Sequence, residues 1–283
     1  MPNKNIHTFI GCDSEYDVSK IVVFGAPYDC TTSYRPGARF ASSAIRNESY
    51  GIETYSPYLD KDLTDIRVFD GGDLELNFGN PERALHDIEA FADKIIADGK
   101  MPFMIGGEHL VTLGAVKAAV KKYPSLHIIH FDAHMDMRDD YLGEKFSHAT
   151  VMRRCLDIVG DNKIFQFGIR SGDRKEFYEA KGHIETCKFN FSALEETIGK
   201  LTDKPVYLTI DLDVLDPGEF PGTGTPEAGG VSFKELLAAI EKVAKLNIVG
   251  LDMNELSPVY DQSGVSTALA CNLVRELLLQ LYK

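Results

Sequence analysis

Six side chains able to bind a metal stand where apolar runs of this sequence end. The segment HIIHFDAHMDMR (127–138) is apolar through Ile128, Ile129 and Phe131, then presents Asp132, His134 and Asp136 at alternate positions. VYLTIDLD (206–213) ends in Asp211 and Asp213. MIGGEH (104–109) reaches His109 after Gly106 and Gly107, which allow a sharp turn out of a strand. In extended chain, residues i, i+2 and i+4 point the same way. Asp132, His134 and Asp136 therefore converge if their strand continues briefly or bends gently.

Four converging carboxylates cannot all stay ionised unaided, because like charges in one site raise each other's pKa. Two divalent cations would balance them and leave the imidazoles neutral. Oxygen donors with some imidazole suit Mn²⁺ better than the thiolate-built tetrahedra of zinc. Two ions about 3.5 Å apart can share a water and lower its pKa towards neutrality. A lone D-x-H-x-D is as readily a set of caps and turns, but three such strand ends together favour metal. His130 lies on the same alternating series, deeper in the run, and reads as a core histidine or a donor to a ligand. Glu108 belongs to the turn.

The elements that must position these groups follow from the pattern of apolar runs. Strands are predicted at 20–26, 66–72, 101–107, 126–133, 163–170, 205–213 and 247–255. Between them, helices are predicted at 81–99, opened by Pro81, at 109–122, at 232–245 with Ser232 and Glu235 as a capping box, and at 264–281. Near-continuous apolar strands separated by helices specify a mostly parallel sheet covered on both faces. The fold class is α/β, one three-layer αβα domain over residues 1–283. The Gly- and Pro-rich piece at 216–230 reads as a loop within it. In such sheets, ligands bind beyond the carboxyl ends of the strands.

Composition narrows the partners. Hydrophobic residues are 44% of the 283 and charged residues 26%, enough for a large core. A net charge of −13 argues against a nucleic-acid partner, which needs clustered Lys and Arg, and favours cations. Five cysteines without a C-x-x-C pair read as small core residues in a reducing compartment. The opening MPNKNIHTFIGCDSEYD lacks a long apolar stretch, and no window reaches membrane-span length. A cytoplasmic protein without membrane contact is expected.

GGEH, FDAHMD and TIDLDVLDPGEFPGTGTPEAGG, in that order, together with GAPYDCTTSYRPGARFASSAIR (25–46), resemble the ureohydrolase family of arginases and agmatinases, agmatinases most closely. The resemblance runs from about residue 20 to residue 280. It implies a three-layer αβα fold, two Mn²⁺ per chain, hydrolysis of a guanidinium group to urea, and a homo-oligomer, trimer or hexamer. By the same resemblance, one ion is held by His109, Asp132, Asp136 and Asp211, the other by Asp132, His134, Asp211 and Asp213. LDMNELSP places Glu255 at the position that grips the guanidinium, where a carboxylate can accept two parallel N–H bonds and orient the reacting carbon. KFSHATVMRR places His148 at the position assigned proton transfer to the departing amine, with Ala149 where the family usually has Gly.

Between the third Asp and that histidine, arginases carry Asn, Thr and Ser side chains that read the amino-acid head group; this chain has MRDDYLGEKFS (137–147) instead. The implied substrate is a small cationic guanidino compound. Agmatine, cleaved to putrescine and urea, comes first; guanidinobutyrate, guanidinopropionate and arginine are the alternatives. Asp139 and Asp140 either attract the distal amine or form a solvated turn, and Arg138 is a candidate partner for a distal carboxylate. A two-metal phosphatase would share the ligand types but needs basic phosphate-binding groups, and no P-loop is present. A non-enzymatic metal-binding protein would leave His148 and Glu255 without a task.

Overall fold

The apolar runs form one sheet whose strands all point the same way. The computed structural model describes residues 7–283, so the first six residues of the opening stretch lie outside the described residues. The strands are β1 (Ile21–Gly25), β2 (Val68–Asp73), β3 (Met101–Ile105), β4 (His127–Phe131), β5 (Ile164–Ile169), β6 (Glu185–Lys188), β7 (Pro205–Asp211) and β8 (Asn247–Asn254). They are hydrogen-bonded in the order β2-β1-β3-β8-β7-β4-β5-β6, every neighbouring pair parallel. Seven of them match predicted strands. The eighth, β6, is an edge strand of sequence ETCK, half-exposed and lacking the apolar run that marks a buried strand.

Side chains alternate between two cores, as a sheet covered on both faces requires. Ile21, Val23, Phe103, Ile105, Ile129 and Phe131 face one core; Val22, Phe24, Met104 and Ile128 face the other. Helices α1 (Ala41–Glu48), α6 (Leu194–Leu201), α7 (Phe233–Val243) and α8 (Val265–Leu281) close the first with Ile45, Leu194, Ile240 and Val274. Helices α2 (Pro81–Ala97), α3 (Thr112–Lys122) and α4 (Val151–Val159) close the second with Ile88, Val116 and Cys155. The short α5 (Arg174–Glu179) leans on the same side through Phe177. Ser232 and Glu235 form the predicted capping box, and Asn80 caps α2 ahead of Pro81. The segment predicted as one helix from 109 begins instead as a 3₁₀ turn, His109–Val111. Cys12, Cys155 and Cys271 are buried as expected, but Cys30 is exposed and Cys187 half-buried. Among the described residues, no helix is long and apolar enough to cross a membrane.

The strand order sets up the chemistry. β3, β8, β7 and β4 are successive neighbours, and neighbouring strands lie about 4.8 Å apart. The residues leaving their carboxyl ends are therefore gathered within a few strand widths.

Gly107 shows how closely the backbone packs there. Its amide neighbour Glu108 donates to the Tyr28 carbonyl at 2.7 Å, and its own carbonyl accepts from Glu255 N–H at 2.9 Å. A Cβ at Gly107 would stand 2.0 Å from the Tyr28 oxygen, a backbone atom that cannot step aside. Gly107→Ala is expected to cost about 1–3 kcal/mol, the usual penalty of overpacking. Urea unfolding should show a lower midpoint at unchanged slope; an unchanged midpoint would mean that this approach does not constrain the fold.

Candidate metal centre

Three of the central strand ends, those of β3, β7 and β4, bring all six predicted ligands together. His109 follows β3, Asp211 closes β7 with Asp213 in the turn beyond, and Asp132, His134 and Asp136 follow β4. Nδ1 of His109 lies 3.1 Å from Asp132 Oδ2, 3.1 Å from Asp136 Oδ2 and 3.5 Å from Asp211 Oδ2. Nδ1 of His134 lies 2.9 Å from Asp213 Oδ2 and 3.5 Å from Asp132 Oδ1. The two oxygens of Asp132 thus divide between two donor groups. Asp211 joins the group around His109, and its Oδ1 accepts the N–H of Asp213 at 2.9 Å.

The chain reaches convergence by bending as it leaves the strand. β4 ends at Phe131, the chain bends at Ala133, and His134 bridges Ser171 in parallel. Asp132 Oδ1 accepts the His134 N–H at 2.6 Å, and Asp213 Oδ1 accepts the Ala133 N–H at 3.1 Å. Asp136 reaches the cluster through a left-handed backbone at φ +52°, a conformation costly for a residue with a Cβ. The alternate spacing found residues that converge; past the bend, a left-handed backbone rather than a pleat aims Asp136.

A buried polar rung beneath the ligands sets their protonation. In the sheet register, Asp252 pairs with Thr209, Thr209 with His130, and His130 with Gln166. Thr209 Oγ1 donates to Asp252 Oδ1 at 2.6 Å, so its lone pairs are left to accept from His109 Nε2 at 2.9 Å. Nε2 of His109 therefore carries a proton, and once the ring is neutral Nδ1 is the nitrogen left with a lone pair for a cation. Gln166 Nε2 donates to the Met135 carbonyl at 2.8 Å and to His130 Nδ1 at 3.0 Å. That leaves His130 Nε2 as the donor to Asp132 Oδ2, 2.7 Å away. His130 lies among the ligand atoms, yet its wiring makes it a hydrogen-bond donor, as its depth in the strand implied. Thr209 and Gln166 went unread in the sequence. The signal was there: each is a polar interruption of an apolar strand at the level of His130. Asp252 supports the strand end, accepting also from Tyr207 Oη at 2.7 Å.

The electrostatics of the cluster call for cations. Burial and the neighbouring Asp213, Asp132 and Glu255 carboxylates push Asp211 well above the usual carboxylate range. Burial and Asp132 push Asp136 up to about 7. Burial opposes a charge on His109 and His134, but the surrounding aspartates outweigh it and hold both imidazoles well above their ordinary value. The cluster therefore keeps protons that a divalent cation would replace. Buried oxygens with two imidazole nitrogens and no thiolate fit a hard or borderline divalent metal.

Above the cluster lies a cleft of about 290 Å³, lined by His134, Asp136, Ser33, Tyr141, His148 and Arg138 among others. His148 donates its N–H to Thr31 Oγ1 at 3.0 Å, and its Nε2 lies 3.0 Å from Ser33 Oγ. Burial, then the positive charge of His134 and His109, lowers its pKa to about 4. Its imidazole is neutral at pH 7. Ala149 is accommodated in the 3₁₀ turn that His148 begins. Glu255 is buried, is held at φ +64°, and accepts the His109 N–H on Oε1 at 2.7 Å. It is not among the residues lining the cleft.

At the distal end the structure redistributes the expected charges. Asp139 binds Arg154 Nη2 at 2.9 Å, and Asp140 closes a turn by accepting from Gly143 N–H at 3.1 Å. Asp140 thus sits in a solvated turn, while Asp139 is exposed but paired with a neighbouring helix. Apart from Asp136, the carboxylates that line the cleft are Asp173 and Glu176, which the sequence did not single out. Arg138 Nη1 binds Asp173 at 2.9 Å, and its guanidinium lies 5.0 Å from the Tyr141 ring centroid. Both Glu176 oxygens accept backbone N–H groups, from Met137 at 3.0 Å and from Asp173 at 2.8 Å.

Known proteins share this arrangement of sequence and fold. The sequence model of the Arginase family matches residues 19–280. An agmatinase of Bacillus subtilis is 48% identical, the match covering 97% of this chain and 96% of that one. A solved structure from Clostridium difficile, described as a candidate agmatinase, superimposes with a TM-score of 0.92 at 53% identity, covering 95% of this chain and 99% of its own. A guanidinobutyrase of Pseudomonas aeruginosa is 34% identical over 94% of this chain and 87% of its own. With a matching family model, near full-length relatives and the same parallel αβα fold, the chain belongs to the arginase family.

Proposed function

We propose that this protein is an agmatinase, hydrolysing the guanidinium group of agmatine to putrescine and urea with two Mn²⁺ ions. The observation that carries the reading is the pair of donor groups around His109 and His134, joined by Asp132 beneath a cleft that holds a neutral histidine. The near full-length likeness to the Bacillus subtilis agmatinase supports the choice of substrate. His109, Asp132, Asp136 and Asp211 would hold one ion; Asp132, His134, Asp211 and Asp213 would hold the other. When bound, such a pair lowers the pKa of water and supplies a nucleophile at neutral pH.

The protein's own groups do the rest. Glu255 spends one oxygen on the His109 N–H and keeps the other for a guanidinium N–H. That contact fixes the central carbon over the donors, so that attack becomes an oriented step. Neutral His148 takes up the proton released on attack and delivers it to the departing amine. The same reading places the enzyme in the cytoplasm as a homo-oligomer, trimer or hexamer.

Substrate choice turns on the distal end. A guanidino acid is the second reading, favoured by Arg138 in the cleft and by the guanidinobutyrase relative. Against it, Arg138 is already engaged by Asp173. In side-by-side kinetics, urea release should be fastest per active site from agmatine. Faster turnover of guanidinobutyrate would reverse the assignment, and no urea from any guanidino compound in the Mn²⁺-loaded protein would remove the hydrolase reading.

Two substitutions separate metal from substrate binding. Asp132→Asn removes the shared carboxylate, so metal content and turnover should both fall, turnover by at least about 100-fold; two metals per chain with full activity would contradict a bridging role. Glu255→Gln should retain both metals while KM for agmatine rises at least about tenfold, the loss expected of a charged partner. Unchanged steady-state constants would show that Glu255 does not hold the substrate.

A further inference from the structure

The segment Cys30–Ser33 belongs to no helix or strand, yet it holds both ends of His148. Its anchor is Glu108, fully buried beside the ligand His109. One Glu108 oxygen accepts the Thr31 hydroxyl at 2.5 Å; the other accepts the Thr31 N–H at 2.9 Å and the Thr32 hydroxyl at 3.2 Å. A buried carboxylate with three donors is expensive to leave unpaired, so Thr31 and Thr32 are pinned. Because the Thr31 proton is committed to Glu108, its oxygen is free to accept, and it takes the His148 N–H at 3.0 Å. Two residues on, Ser33 Oγ meets the His148 ring at Nε2, 3.0 Å away. The other side of the ring faces Tyr141 edge-on, with centroids 6.1 Å apart.

Neither contact touches the metal ligands, and Ser33 lines the cleft beside His148. We infer that Ser33 is a positioning residue for His148: with Thr31, which Glu108 fixes, it holds the imidazole at the angle from which a proton reaches the departing amine. The inference rests on the proton-transfer role proposed for His148. Backbone and ring are held by one short stretch of chain, so the histidine is aimed by hydrogen bonds rather than by core packing. Ser33 itself is exposed, and its truncation removes a direction and not a structural support.

The test is a double-mutant cycle in the Mn²⁺-loaded full chain, with urea release from agmatine as readout and metal content and thermal midpoint as controls. Ser33→Ala should lower kcat about tenfold or more with KM and metal content unchanged, since small misplacements of a reacting group are costly. Ser33→Thr, which keeps the hydroxyl, should restore kcat. On a His148→Ala background, Ser33→Ala should cost nothing further, because a residue acting through another loses its effect when that other is gone. Thr31→Val should show the same dependence on His148. Equal losses with and without His148, a change confined to KM, or an unaltered kcat would each overturn the positioning role. If His148→Ala alone keeps full activity, the proton-transfer reading falls first and the inference with it; if only the Ser33 variant is silent, that reading stands and the inference fails.

Discussion

Asp132, Asp136, Asp211 and Asp213 are each no more than 6% exposed, and they share one small volume. Burying one carboxylate without a partner is costly, and burying four side by side compounds the cost with mutual repulsion. Much of the local structure answers to that constraint. The order β3-β8-β7-β4 brings the groups together, and the two glycines before His109 let the chain turn closely enough to add an imidazole. The polar rung of Asp252, Thr209, His130 and Gln166 crosses an otherwise apolar face to orient the ligands. Left-handed backbones at Asp136 and Glu255 are held in place by the packing around them. Cations would complete the arrangement by taking the place of protons that the cluster otherwise keeps.

The wiring around the cluster follows from counting donors and acceptors. A threonine hydroxyl has one proton; Thr209 gives its own to Asp252, so His109 must donate from Nε2 and ligate from Nδ1. Gln166 fixes the same tautomer on His130 but leaves its Nε2–H aimed at Asp132, so this ring turns a donor and not a lone pair to the cluster. Two histidines 5.0 Å apart, both buried, are thus given different tasks by neighbours one strand away. The same counting at Thr31 directs a hydrogen bond to His148.

Much of this was legible in the sequence. Seven strands, the capping box at Ser232 and the candidate ligands were read from apolar runs and the polar residues that close them. Strand ends are legible because a carboxylate after four or five apolar residues has few reasons to be there. Strand order was not legible, since it depends on which apolar faces meet rather than on any local pattern. β6 was missed because an edge strand needs no continuous apolar run. The left-handed backbone that aims Asp136 was not legible because alternate spacing fits an extended chain equally well. Asp173 and Glu176 reach the cleft from the loop after β5 and from α5, about 40 residues from Asp132 in sequence, so adjacency pointed to Asp139 and Asp140 instead.

Divalent cations entering this site must exchange for protons held by the ligand cluster. Calorimetric titration of the metal-free protein with Mn²⁺ at pH 7, in buffers of different ionisation enthalpy, tests it most directly. His109, His134 and Asp211 hold their protons well above their ordinary values, and Asp136 titrates near 7, so acid competes with metal. The account predicts two ions per chain, an observed heat that varies with the buffer because protons are released, and affinity that weakens as pH falls below 7. No uptake of Mn²⁺, or uptake with neither proton release nor pH dependence, would contradict it.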